Sequence, residues 1–194
     1  MYKRQLKDVP VKELQDELLK QRCTLFFYTD LPVDSPAFTA VQKLSLLGAV
    51  AGPDINDFNT AEKPKGLSTL EMDAYRFRPS EPITLGEFSQ MVVNGLQIPL
   101  SITASHSTDV PRGHRAFKYI ETLYDYSTQS KVPFLDFEPS KNFRTARANP
   151  NAGVSAAQAH KILSGLHLKK VELPYGRDKE LTRAEAAILV AQYL

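Results

Sequence analysis

Arg183 sits in the run Leu181-Thr182-Arg183-Ala184-Glu185-Ala186. Its guanidinium is a planar fork of donors, suited to a carboxylate or another planar anion. Two aspartates have matching surroundings: Asp30 in Thr29-Asp30-Leu31-Pro32 and Asp109 in Thr108-Asp109-Val110-Pro111. Each reads as a turn or cap residue, or as a polar ligand contact. The histidines are poorer candidates. His106 and His114 flank a turn, and His160 and His167 lie on or just past a helix. No cysteine or carboxylate joins either pair at ligand spacing, so no metal site is expected. Phe134, Phe137 and Phe143 with Arg144 and Arg147 suit a carbohydrate platform or a small core beneath a long loop. The chain contains no nucleophile elbow, phosphate loop, dinucleotide fingerprint or zinc-protease motif. This chain alone is therefore expected not to be an enzyme and to use no cofactor.

Bulk properties narrow the classes further. The 194 residues carry a net charge of +2 without a long basic run. Nucleic-acid binding needs clustered Lys and Arg to neutralise phosphates, so none is expected. The one cysteine, Cys23, excludes an internal disulfide and a four-cysteine zinc site. No apolar run approaches the roughly 20 residues that cross a bilayer. Residues 1–10 are polar, and no signal peptide is expected within this chain.

The elements that position these residues repeat along the chain. Behind the two Thr-Asp-x-Pro runs, at identical spacing, come Ala37-Phe38 and Ala116-Phe117, then Val41 and Leu44, Ile120 and Leu123. Those offsets form one helical face, and Asp and Pro mark the turn leading in. A second motif occurs three times: Ile83-Thr84-Leu85-Gly86-Glu87-Phe88, Val154-Ser155-Ala156-Ala157-Gln158-Ala159 and Leu181 to Ala186. It is a capping box, in which Thr84, Ser155 and Thr182 cap and Glu87, Gln158 and Glu185 reach back. The pattern predicts helices near 35–48, 84–95, 113–126 and 155–165, with another following Thr182. The spacers 53–76 and 128–153 read as long loops, with a short strand at Val132 to Phe137. Asp8-Val9-Pro10 and the amphipathic stretch after it read as one more turn and helix, either a linker or a closing helix.

Together these units resemble the S-layer homology family. The resemblance rests on Tyr28-Thr29-Asp30-Leu31 with Ala37, on Gly48-Ala49-Val50-Ala51-Gly52, on Phe77-Arg78-Pro79-Ser80-Glu81-Pro82-Ile83-Thr84, and on Thr182-Arg183-Ala184-Glu185. It implies a mainly α fold of tandem two-helix repeats in a pseudo-threefold bundle with long loops. The units would be an N-terminal segment 1–27, repeats at 28–107 and 108–167, and a partial repeat at 168–194. It further implies a noncatalytic bacterial cell-envelope module, outside the cell or in its envelope, that binds wall or surface polysaccharide. Arg183, Asp30 and Asp109 would line its glycan grooves, helped by helix N-terminal amides that favour anions. The arginine occurs once, with Leu85 and Ala156 in the equivalent places. The alternative is a C-terminal docking or oligomerisation domain of a larger exported enzyme, such as a FAD-dependent oxidoreductase, linked to an upstream domain and binding no glycan.

Overall fold

The computed structural model describes residues 28–50, 76–101, 105–135, 137–139, 146–166 and 176–194. These residues form helices α1 Phe38–Leu46, α2 Leu85–Gly95, α3 Phe117–Gln129, α4 Ala156–Gly165 and α5 Arg183–Ala191. Two short strands, β1 Glu138–Pro139 and β2 Ala146–Arg147, pair antiparallel. The protein is mainly helical. The expected N-terminal helix within 1–27 and nearly all of the spacer 53–76 lie outside the described residues, as do His167, Phe143 and Arg144. Among the described residues, no helix is long and apolar enough to cross a membrane.

Helices α2, α4 and α5 begin where the capping chemistry places them. Thr84 accepts from the Glu87 amide at 3.3 Å, and Glu87 returns a bond to the Thr84 amide at 3.1 Å. Thr182 and Glu185 make the same reciprocal pair at 3.2 and 3.0 Å. Ser155 caps the Gln158 amide at 3.2 Å, but α4 has no return bond from the Gln158 side chain. Gln158 therefore holds its N3 position without closing a box.

Helices α1 and α3 start later than the sequence pattern predicts. Two successive tight turns follow each Thr-Asp-x-Pro run and occupy the amides that an earlier helix would use. Ser35 and Phe38 donate to Pro32 and Ser35, and His114 and Phe117 donate to Pro111 and His114. The N-caps are Ala37 and Ala116, and neither makes a side-chain cap bond. Ser35 Oγ and His114 Nδ1 instead accept from the Ala37 and Ala116 amides.

At its far end α1 stops at Gly48, whose φ of 63° is left-handed. The Gly48 amide bonds to Ser45 O and the Ala49 amide to Leu44 O, the paired bonds that end a helix at such a residue. Helix α2 ends the same way on Gln97, with φ 52°.

Helix α2 packs against both α3 and α5, and α1 packs against α5. The core between them is closed by Phe88, Val92, Ile120, Leu123, Ile162 and Val190, all fully buried. Gly86 permits one close approach: a Cβ there would lie 2.9 Å from Ala116 Cβ.

The strand expected at Val132 to Phe137 is displaced, and Ser127 is the reason. Its hydroxyl accepts from the Phe134 and Leu135 amides at 2.9 and 2.8 Å and donates to Leu135 O at 3.1 Å. Those backbone groups cannot also join a ladder, and β1 starts beyond them. Phe134 and Phe137 are buried rather than presented as a surface platform, while Arg147 is exposed.

The unequal caps give a direct test. Ser155→Ala is expected to destabilise by about 0.5–2 kcal/mol. Gln158→Ala is expected to stay within about 0.5 kcal/mol, the range of uninvolved surface changes. Urea melts of the two variants measure both. A Gln158→Ala cost equal to that of Ser155→Ala would show that Gln158 contributes to the cap after all.

Candidate functional site

The three caps converge. The residue before each cap donates its amide to the carbonyl of another: Ile83 to Leu181 at 2.9 Å, Leu181 to Val154 at 2.9 Å, and Val154 to Ile83 at 3.1 Å. The three bonds close a ring, and all three side chains are fully buried.

The first helical amides are also bonded cyclically, but in the opposite sense around the three copies. Leu85, Ala156 and Arg183 donate to the carbonyls of Ala152, Lys179 and Glu81. One position on, Gly86, Ala157 and Ala184 donate to Pro150, Arg177 and Pro79. The third amide of each helix goes to its own cap hydroxyl. A helix start leaves amides that need partners, and here the first three of each helix are supplied from within the protein. The first three amides of α2, α4 and α5 thus have partners within the protein.

Asp30 and Asp109 serve neither as helix caps nor as open ligand groups. The two carboxylate oxygens of Asp30 accept from the Phe77 and Arg78 amides, both at 2.8 Å. Those of Asp109 accept from the Ala148 and Asn149 amides, again both at 2.8 Å. Arg78 and Asn149 hold left-handed φ values of 59° and 52° just ahead of Pro79 and Pro150. A non-glycine residue there carries strain, so the clamp holds each lead-in in a shape it would not choose freely. The long range of this contact is what the sequence did not reveal.

Arg183 is buried, with 7% of its surface exposed. Its Nε donates to Phe77 O at 2.7 Å, its Nη1 pairs with the Glu87 carboxylate, and the guanidinium lies 5.3 Å from the Phe77 ring centroid. It thus fastens the start of α5 to the lead-in and first turn of α2. At the α4–α5 contact Ala156 replaces the arginine, and Lys179 supplies a cation to Glu185 instead. Where α2 meets the α4 lead-in, the matching residues are Leu85 and Gln158, and neither is charged.

A second polar cluster went unrecognised in the sequence. Glu121 is fully buried on α3 and accepts from the His106 and Ser107 amides at 3.1 and 3.3 Å. Its carboxylate also meets His106 Nδ1 at 2.7 Å. Nearby, buried Asp125 accepts from Ser101 Oγ at 3.0 Å. Tyr124 lies between the His106 ring at 4.7 Å and the Phe137 ring at 4.1 Å. The available signal was an acid at 121, inside the apolar stripe of Phe117, Ile120 and Tyr124. His160 contacts only Ser164 among the described bonds, at 3.4 Å. Among the described residues, no group of three or more His, Cys, Asp or Glu is placed to hold a metal ion.

No protein-family model matches the chain. No curated protein matches it either.

Two predictions follow from these contacts. Asp30→Ala and Asp109→Ala should each destabilise by about 1.5–3 kcal/mol, because each removes hydrogen bonds to a charged group. The Asn variants should recover part of the loss through their one carbonyl oxygen. Urea melts in which all four variants match the wild type would reduce the clamps to incidental contacts.

The other prediction concerns pH. Burial alone would raise the Glu185 pKa, but bonds from Lys179 and from the Thr182 amide and hydroxyl outweigh it and hold the carboxyl below its ordinary 4.5. Folding lowers this pKa, so the linked stability is present above the unfolded value and disappears as pH falls through the lower folded one. The destabilisation caused by Glu185→Gln is thus expected to hold at neutral pH and to shrink below pH 4.5. Melts across that range would show it; a cost that does not change with pH would contradict it.

Proposed function

We propose that this chain is a noncatalytic docking module, built as S-layer-homology-type units about a pseudo-threefold axis. The ring of bonds among Ile83, Leu181 and Val154 supports that arrangement, because the backbone bonds at this position and at the first two residues of each helix are each closed cyclically over all three copies. The repeated aspartate clamps support the two-helix unit.

One observation carries the choice of docking over glycan capture. The groups that the resemblance assigns to an anionic glycan are already satisfied internally. Arg183 holds Glu87 and Phe77, and both aspartates hold backbone amides. A glycan carboxylate would have to displace a buried ion pair, leaving Glu87 without its cation, and breaking such a pair is costly. The partner on this reading is protein, either an upstream domain of the same polypeptide or a neighbouring subunit. Envelope localisation remains part of the proposal and derives from the resemblance.

Calorimetry against isolated anionic wall glycan tests the choice. The wild-type chain is expected to show no saturable heat. Saturable binding that Arg183→Ala abolishes, in a variant that still melts cooperatively, would restore the glycan-binding reading and place its site at Arg183.

A further inference from the structure

Much of the acidic charge among the described residues is committed to internal contacts. Asp30 and Asp109 hold backbone amides, Glu121 and Asp125 are buried on α3, and Glu87 and Glu185 pair with Arg183 and Lys179. Cations are left to set the character of the surface, and some of them are ordered. Arg112, Arg115 and Lys118 stand three residues apart and are all exposed. The backbone puts them in one row. The His114 amide donates to Pro111 O and the Phe117 amide to His114 O, so two successive three-residue turns lead into α3. Side chains three apart eclipse in turns of this kind. Arg112 and Arg115 hold the same place in the two turns, and Lys118 continues the row into the first turn of α3.

The same turns lead into α1, where Ser35 donates to Pro32 and Phe38 to Ser35. There Val33, Pro36 and Thr39 occupy the matching row and carry no charge. The backbone of the row is thus common to both units, and its charge belongs to the second alone. The fold makes little use of that charge. Among the described residues Arg112 and Lys118 form no ion pair, and Lys118 Nζ lies 4.9 Å from the Tyr119 ring centroid. Like charges held in one row repel each other, and an anionic partner would relieve that repulsion.

We propose that the row Arg112, Arg115 and Lys118 is the docking face for an extended acidic segment of a partner protein. This rests on the docking reading above and gives that partner its chemistry. The pitch of the row suits such a segment. A rise of about 2.0 Å per residue sets successive cations about 6 Å apart along the row. An extended chain rises about 3.3 Å per residue and turns alternate side chains to one side, so acids two apart recur about every 6.6 Å. Acids at three alternate positions therefore meet the three cations in register. The two arginines receive carboxylates as planar forks, and Lys118 acts as a point charge at the end of the row.

An amide chemical-shift titration of the full chain at low salt tests this, with a synthetic peptide of alternating Glu and Ser as the probe. Saturable shifts are expected at residues 112–118. Arg112→Gln with Lys118→Gln should weaken the peptide about fivefold or more, through loss of two exposed ion pairs. That variant should melt like the wild type, because both changes are on the surface. Lys43→Gln with Lys161→Gln removes the same charge from other exposed positions and should leave the affinity unchanged. No saturable shift at 112–118 in the wild type, or equal affinity in the Arg112→Gln, Lys118→Gln variant, overturns the proposal. Equal affinity for tripolyphosphate overturns the acidic-peptide assignment, because the row would then read charge alone. Failure here leaves the docking reading standing, since that reading is decided separately by the glycan calorimetry.

Discussion

A helix start presents amides that no preceding turn can satisfy, and burying three such starts together would leave nine of them unpaired in the core. Most of this structure follows from the way that constraint is met. Each cap hydroxyl takes one amide, and the backbone carbonyls of the neighbouring lead-in take the other two. Those carbonyls point inward only if the lead-in turns sharply before its proline. At Arg78 and Asn149 the turn requires a left-handed backbone, and Asp30 and Asp109 hold it there. The clamps and the ring are therefore one device. A loosened clamp would misplace the carbonyls that serve the next helix around the ring.

The backbone pattern is cyclic, but the side chains on it have diverged. Arg183 joins two units through Glu87 and the Phe77 carbonyl, and Lys179 serves Glu185 from a different position. Leu85 and Gln158 carry no charge at all. The ring bonds tolerate this because they need only backbone groups and a buried apolar residue at Ile83, Val154 and Leu181. A buried ion pair gains little once desolvation is counted, so a neutral contact is an acceptable replacement. The presence of arginine at only one of the three equivalent positions thus does not mark its contact as the functional one.

Much of the framework was legible in the sequence. Caps announce themselves locally through an apolar residue, a hydroxyl, and Glu or Gln three positions on, so α2, α4 and α5 start where the pattern puts them. The Thr-Asp-x-Pro repeat gave the existence of α1 and α3 but not their starts, because the intervening turns are built from backbone bonds that leave little mark on composition. The partners of Asp30 and Asp109 were hidden for a different reason. They are backbone amides 39 to 48 residues away, and an amide has no residue type to recognise. Glu121 was legible in principle, as an acid inside an apolar stripe. Its partners His106 and Ser107 come from an approaching segment that no local pattern predicts.

The bonded helix starts limit what the protein can bind there. An anion site at a helix start needs amides that water now solvates and a ligand can claim. Here the first three amides of α2, α4 and α5 are committed to the fold, and a ligand could claim them only by opening the ring. Under the docking proposal, recognition falls to groups that the ring does not use, on the outward faces of the described helices. These are the regions where the copies differ most, as the open flank at Ala157 and Ser164 beside the buried Gly86 and Val93 illustrates. Under the docking proposal the repeated residues make the scaffold, and specificity resides where the repetition breaks.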